Sequence, residues 1–163
     1  MPDVHDVHMR AVHDDLSSLA FLMGTWRGGG NGEYPTIGPF RYGDEMVFEH
    51  VGDPFLLYTQ RSWLEPGDDP LHFERGFLRP SAPGLVELVL AHPLGLTEVA
   101  EGTVDGTVMR TASTAMGRTK TGDPVTAIVR RWRVEADLLA YELDMATEAT
   151  PLTRHLTGEL RRA

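Results

Sequence analysis

The sequence predicts an all-β fold: an antiparallel up-and-down β-barrel of about ten strands with a short N-terminal helical segment. Three observations carry this. After Gly24, short stretches of period-2 or apolar character follow one another, each closed by Gly, Pro, Asp or Asn. No long helical periodicity separates them, so the crossovers that parallel strands need are missing. The connections are short, and a run of hairpin-linked strands loses its exposed edges most simply by closing on itself. A barrel of that size is wide enough to keep a cavity for a small ligand.

The elements follow in order. Residues 1–16 are polar, contain His5, His8 and His13, and read as a flexible leader. Residues 17–163 read as a single barrel domain, since no repeat or linker divides them. Ser17-Ser18 can cap one or two helical turns through Met23. Strands are predicted from Gly24 onward, then over 41–51, 55–64, 71–78, 84–91, 96–104, 107–115, 125–134, 138–146 and 152–160. Asp105-Gly106 is a two-residue hairpin signal, and Glu135-Ala136-Asp137 is another short reversal.

Composition narrows the chemistry. The 163 residues suffice for one domain with a real core. There is no cysteine, which excludes disulfides, thiolate nucleophiles, iron–sulfur clusters and covalent c-type haem. The formal net charge of -9 disfavours nucleic acid and anionic lipid as partners. No apolar run approaches a membrane span, and no secretory signal is visible, so the expected location is the cytoplasm. The basic residues concentrate after Arg110, where a few could meet an anionic ligand.

The most unusual stretch is Gly24-Thr25-Trp26-Arg27-Gly28-Gly29-Gly30. A phosphate-loop reading fails, because no Gly-Lys-Ser/Thr follows and no strand precedes it. Glycines that let a barrel strand bend, beside a tryptophan that plugs one end, explain Gly24, Trp26, Gly28 and Gly30 better.

With Tyr34-Pro35-Thr36-Ile37, Tyr58-x-x-Arg61-x-Trp63 and the terminal Thr153-Arg154-His155-Leu156-x-Gly158-x-Leu160, this stretch resembles the nitrobindins, small haem-binding β-barrels. The resemblance covers nearly the whole chain after residue 17. It implies one non-covalent ferric haem b at the barrel mouth, with His155 as the proximal iron ligand. It implies that Thr36 lies close to the haem and that Lys120, in the loop before Val125, does too. It also implies binding of nitric oxide and isomerisation of peroxynitrite to nitrate, so the partners would be small anionic or diatomic ligands.

His155 poses a problem of phase. Strict alternation puts Thr153, His155, Thr157 and Glu159 on one face, and Leu152, Arg154, Leu156, Gly158 and Leu160 on the other. Alternation alone favours leucines inside and His155 in water. The resemblance asks for the opposite phase, with the leucines covered from outside by the leader or by a second subunit, as in a homodimer. Leucines lining the cavity with His155 in solvent would remove the haem assignment.

The remaining candidates are weaker. Met46, Met109, Met116 and Met145 could ligate iron but read as core. His5-x-x-His8 and His13 read as tail residues, and His50, His72 and His92 as structural or surface residues. Two rivals share the fold: a non-enzymatic carrier of a fatty acid or other small apolar ligand, and a haem carrier or nitric oxide sensor.

Overall fold

The structure is a computed structural model that describes residues 10–163. His5 and His8 lie outside the described residues. A 3-10 helix spans Asp14–Leu22. Ten strands follow: β1 Gly24–Tyr34, β2 Ile37–His50, β3 Leu56–Glu65, β4 Pro70–Ala82, β5 Leu85–His92, β6 Leu96–Asp105, β7 Val108–Arg118, β8 Val125–Glu135, β9 Leu138–Thr147 and β10 Thr153–Arg162. They close into one antiparallel barrel, each strand beside its sequence neighbours and β1 beside β10. The predicted fold class stands. No helix among the described residues is long and apolar enough to cross a membrane.

The short helix starts at Asp14, three residues before the serine pair. Its N-cap is His13, whose Nδ1 accepts from the Asp15 N–H at 3.2 Å. Leu16, Leu19 and Leu22 recur at three-residue spacing, which stacks them on one side of a 3-10 helix, and all three are fully buried. They close one end of the barrel with Trp26 and Leu160. Trp26 is fully buried. Its Nε1 donates to the Leu22 carbonyl at 2.8 Å, and the Arg162 guanidinium lies 4.1 Å from the ring centroid.

The hairpins form where the turn residues predict them. Gly106 and Ala136 both adopt positive φ, at 57° and 52°, as tight reversals between strands require. Alternation then sorts each strand. On β5, Val86, Leu88, Leu90 and His92 point inward, while Leu85, Val89 and Ala91 are exposed.

The helix end of the barrel carries the β2–β3, β4–β5, β6–β7 and β8–β9 connections. The opposite end, called the mouth here, carries residues 35–36, 66–69, 93–95, 119–124 and 148–152. The wall is open near the mouth between β7 and β8. Their ladder joins only Val108–Ala112 to Val129–Arg133, and beyond it the Ile128 N–H donates to Ser113 Oγ at 3.0 Å.

Candidate functional site

β10 does not alternate strictly. Against β9, Arg154 pairs with Asp144 and Leu156 with Leu143, so His155 is an extra residue in a β-bulge. A bulge lets two successive residues face the same side. Arg154 points outward to ion pairs with Asp144 and Glu142. His155 and Leu156 both turn inward, and Gly158 and Leu160 keep the inward phase. The choice between leucines inside and His155 inside is thereby corrected. Leu156 packs on the core and Leu160 is fully buried, yet His155 is only half-exposed and sits among aromatic rings. Leu152 precedes the strand and is exposed. No outside cover for a leucine face is needed.

The surroundings of His155 fix its protonation pattern. Its Nδ1 lies 2.9 Å from the backbone carbonyl of Glu33. A carbonyl only accepts, so Nδ1 carries a hydrogen, and in the neutral ring Nε2 holds the lone pair. Tyr34 meets the imidazole edge-on, with ring centroids 5.2 Å apart, and Phe40 lies at 6.2 Å. The Tyr34 hydroxyl donates to the Met145 carbonyl at 3.0 Å, which ties β1 to β9 across the mouth. Gly32 faces Phe40 on β2 and Leu156 on β10. A Cβ at Gly32 would overlap the Phe40 ring, so the aromatic wall beside His155 depends on this glycine. Gly30 does the same deeper in the barrel, where a Cβ would come within 2.6 Å of the Tyr42 hydroxyl.

A second apolar cluster lines the mouth. Leu96, Val125, Ile128 and Leu143 are buried there, with Met116, Met145 and Leu156 packed against them. Met46 and Met109 are buried in the main core, as their core reading expects. Thr36 is exposed in the β1–β2 turn, and Lys120 is exposed in the β7–β8 loop. Both belong to the same end as His155. That loop is held by backbone bonds from Thr119 N–H to the Gly95 carbonyl and from Glu148 N–H to the Pro124 carbonyl.

Below the mouth runs a buried polar network that no motif in the sequence marks. The Tyr141 hydroxyl lies 2.6 Å from Asp44 Oδ2 and 2.6 Å from the Tyr42 hydroxyl. Tyr42 in turn reaches the Thr157 carbonyl at 3.1 Å. Gln60 joins Asp44 at 2.8 Å, and the Tyr58 hydroxyl lies 2.9 Å from both Gln60 Oε1 and Glu74 Oε1. Arg130, itself buried, grips Glu74 at 3.0 Å with one nitrogen and Glu98 with another. His92 completes the chain, its Nε2 3.1 Å from Glu98 Oε2.

Burial sets the charges here. Asp44 is pushed up to about 7, mainly by burial, against the hydrogen bonds with Tyr141 and Gln60 that pull it down. Asp44 Oδ2 accepts from both the Tyr141 hydroxyl and Gln60 Nε2. Burial would also raise Glu74 and Glu98, but the Arg130 guanidinium between them holds both below the usual carboxylate range. Arg130 is correspondingly held fully charged. One signal in the sequence could have revealed this network. Tyr58-x-Gln60, His72-x-Glu74, His92, Glu98 and Arg130 occupy the inward phase of strands whose other inward residues, Ser62 apart, are apolar.

A closed ten-stranded barrel plugged by tryptophan at one end, with an anchored imidazole at the other, defines a class of small ligand-binding barrels. Comparison with known proteins gives that class its family. The chain belongs to the THAP4-like, haem-binding β-barrel domains, the nitrobindins, whose family model matches residues 15–162. It is 49% identical over 155 residues to peroxynitrite isomerase 2 of Mycobacterium marinum, which spans 93% of this chain and 96% of that protein. It is also 49% identical to the peroxynitrite isomerase of Nocardia farcinica, with 93% of each chain covered. The crystal structure of Rv2717c from M. tuberculosis superposes with a TM-score of 0.87 at 44% identity, covering 94% of this chain and 99% of that one.

The residues at the mouth fit a haem. His155 offers its Nε2 on a ring oriented through the other nitrogen, the arrangement metal-bound histidines use. Tyr34, Phe40 and the Leu96–Leu143 cluster give apolar surface for a porphyrin edge.

Proposed function

We propose that this chain binds one ferric haem b non-covalently at the barrel mouth through His155, isomerises peroxynitrite to nitrate, and binds nitric oxide at the same place. The hydrogen bond from His155 Nδ1 to the Glu33 carbonyl carries this reading, because it leaves Nε2 as the nitrogen that would hold a haem iron. When bound, ferric iron supplies a Lewis-acidic position open to a small anionic oxidant.

The chain's own residues do the rest. His155 would hold the metal, and the Glu33 carbonyl orients its ring. Tyr34 and Phe40 keep the imidazole from rotating and shield it from water. Thr36 and Lys120 stand at the rim. Lys120, a positive charge on an acidic protein, draws the anion toward the mouth. The reaction takes place in the cytoplasm, and residues 17–163 act as one unit.

The carrier reading is less well supported. A fatty-acid carboxylate would need a free internal arginine or tyrosine, and both nitrogens that Arg130 extends are paired, with Glu74 and Glu98. Titration of the purified chain with ferric haem tests the proposal. Wild type should give a Soret band at one equivalent, and stopped-flow mixing with peroxynitrite should show faster decay with a raised nitrate yield. A His155→Ala chain with an unchanged band would refute the ligand assignment. Haem binding without faster decay would favour the sensor or carrier.

A further inference from the structure

The barrel carries a second cluster of metal-binding groups, on the wall opposite His155. In the order of strands, β4 and β5 lie across the barrel from β10. His72 and Glu74 project from β4 and His92 from the end of β5. We propose that His72 Nε2, His92 Nδ1 and Glu74 Oε2 form a binding site for a divalent transition-metal cation such as zinc.

The geometry carries it. The three donor atoms form a nearly equilateral triangle. His72 Nε2 is 3.2 Å from Glu74 Oε2 and 3.3 Å from His92 Nδ1, and His92 Nδ1 is 3.4 Å from Glu74 Oε2. Ligands at ~2.0–2.1 Å from a tetrahedral zinc are separated by about 3.3–3.4 Å. The triangle is therefore one face of such a tetrahedron, with the fourth position left for water or another ligand. Two imidazoles and a carboxylate suit zinc and its neighbours better than calcium or magnesium, which prefer oxygen.

Hydrogen counting points the same way. Glu98, ion-paired to Arg130, can only accept from His92, so His92 Nε2 carries a hydrogen. His92 Nδ1 faces Glu74 Oε2, an acceptor that Arg130 Nη2 also reaches at 3.0 Å. In a neutral His92 ring, Nδ1 and Glu74 Oε2 are two acceptors that a hydrogen on His72 Nε2 alone would serve. A cation at the centre satisfies all three atoms at once. Charge is short in the same sense, since one guanidinium faces two buried carboxylates.

The supporting shell is already built. The Glu98–His92 bond orients the ligand ring as carboxylates do behind metal-bound histidines. Tyr58 occupies the other oxygen of Glu74, at 2.9 Å. The cluster is also reachable: Glu74 and His92 are buried, but the His72 side chain is 27% exposed.

Equilibrium dialysis against zinc, followed by metal analysis, tests the site. The chain used is the full one carrying His5→Ala and His8→Ala, which removes the other closely spaced imidazoles. One zinc per chain should be retained, haem-free or haem-loaded, and also in His155→Ala. His72→Ala, at a half-exposed position that tolerates truncation, should lower affinity at least 100-fold while its melting curve stays cooperative. Glu98→Gln should weaken binding about 10–100-fold. Cobalt in place of zinc should give the intense visible bands of a tetrahedral site, absent in His72→Ala. No retained zinc, equal retention by His72→Ala, or only the weak spectrum of six-coordinate cobalt would overturn the proposal.

Discussion

His155 and Leu156 are neighbours in sequence and both face the barrel interior, because the ladder to β9 skips His155. The bulge places an imidazole at the mouth without moving the leucines that close the core. On the proposed assignment of His155, haem binding is separable from folding. His155→Ala should abolish the Soret band at stoichiometric haem yet change unfolding free energy by less than about 1 kcal/mol, as for a partly exposed side chain. Chemical denaturation alongside haem titration checks both halves.

The Gly32–Phe40 contact gives a second test. Alanine at 32 would push its methyl into the Phe40 ring, and overpacking of this kind costs about 1–3 kcal/mol. The strain falls beside His155, so Gly32→Ala should weaken haem binding as well as stability. A variant that melts earlier but binds haem with wild-type affinity would separate Phe40 from the site.

Asp44 predicts a pH dependence. Its carboxyl titrates near 7 in the folded chain, against 3.8 for a free group, because it is buried. Between about pH 4 and 7 the folded state therefore binds this proton while the unfolded state releases it. The contribution is fully present below the unfolded value and is lost as pH rises through about 7. The swing is at most roughly 4 kcal/mol. Asp44→Asn cannot titrate, so its stability relative to wild type should rise over that window. A difference that stays flat from pH 4.5 to 7.5 would refute the assignment.

Arg130 is the charge on which two buried carboxylates depend. Arg130→Ala removes the guanidinium that Glu74 and Glu98 share and should cost about 3–5 kcal/mol. The triple variant Arg130→Met, Glu74→Gln, Glu98→Gln should recover much of that loss. Urea unfolding of both measures it, and equal losses would show that the ion pairs are not what the interior relies on.

Lys120 should act on rate rather than on fold. It is exposed at the rim, and steering of an anion by an exposed charge is screened by salt. Lys120→Ala should lower the second-order rate with peroxynitrite a few-fold at low ionic strength and leave it unchanged at high. Loss of haem itself in this variant would instead make Lys120 a haem contact.

The sequence by itself determined the strands, their hairpins, the closed barrel and the tryptophan plug. Each follows from local rules: two-residue alternation, turn residues that accept positive φ, and glycines beside Trp26. It also marked His155, through resemblance rather than through phase. Only the tertiary structure decided which way His155 points, because a bulge is a property of two paired strands and β10 read alone alternates evenly. The network of Asp44, Tyr141, Glu74, Arg130 and Glu98 was decided there as well. Each of these residues comes from a different strand. A polar residue at an inward position tells nothing of its partner until the barrel closes and brings the strands face to face.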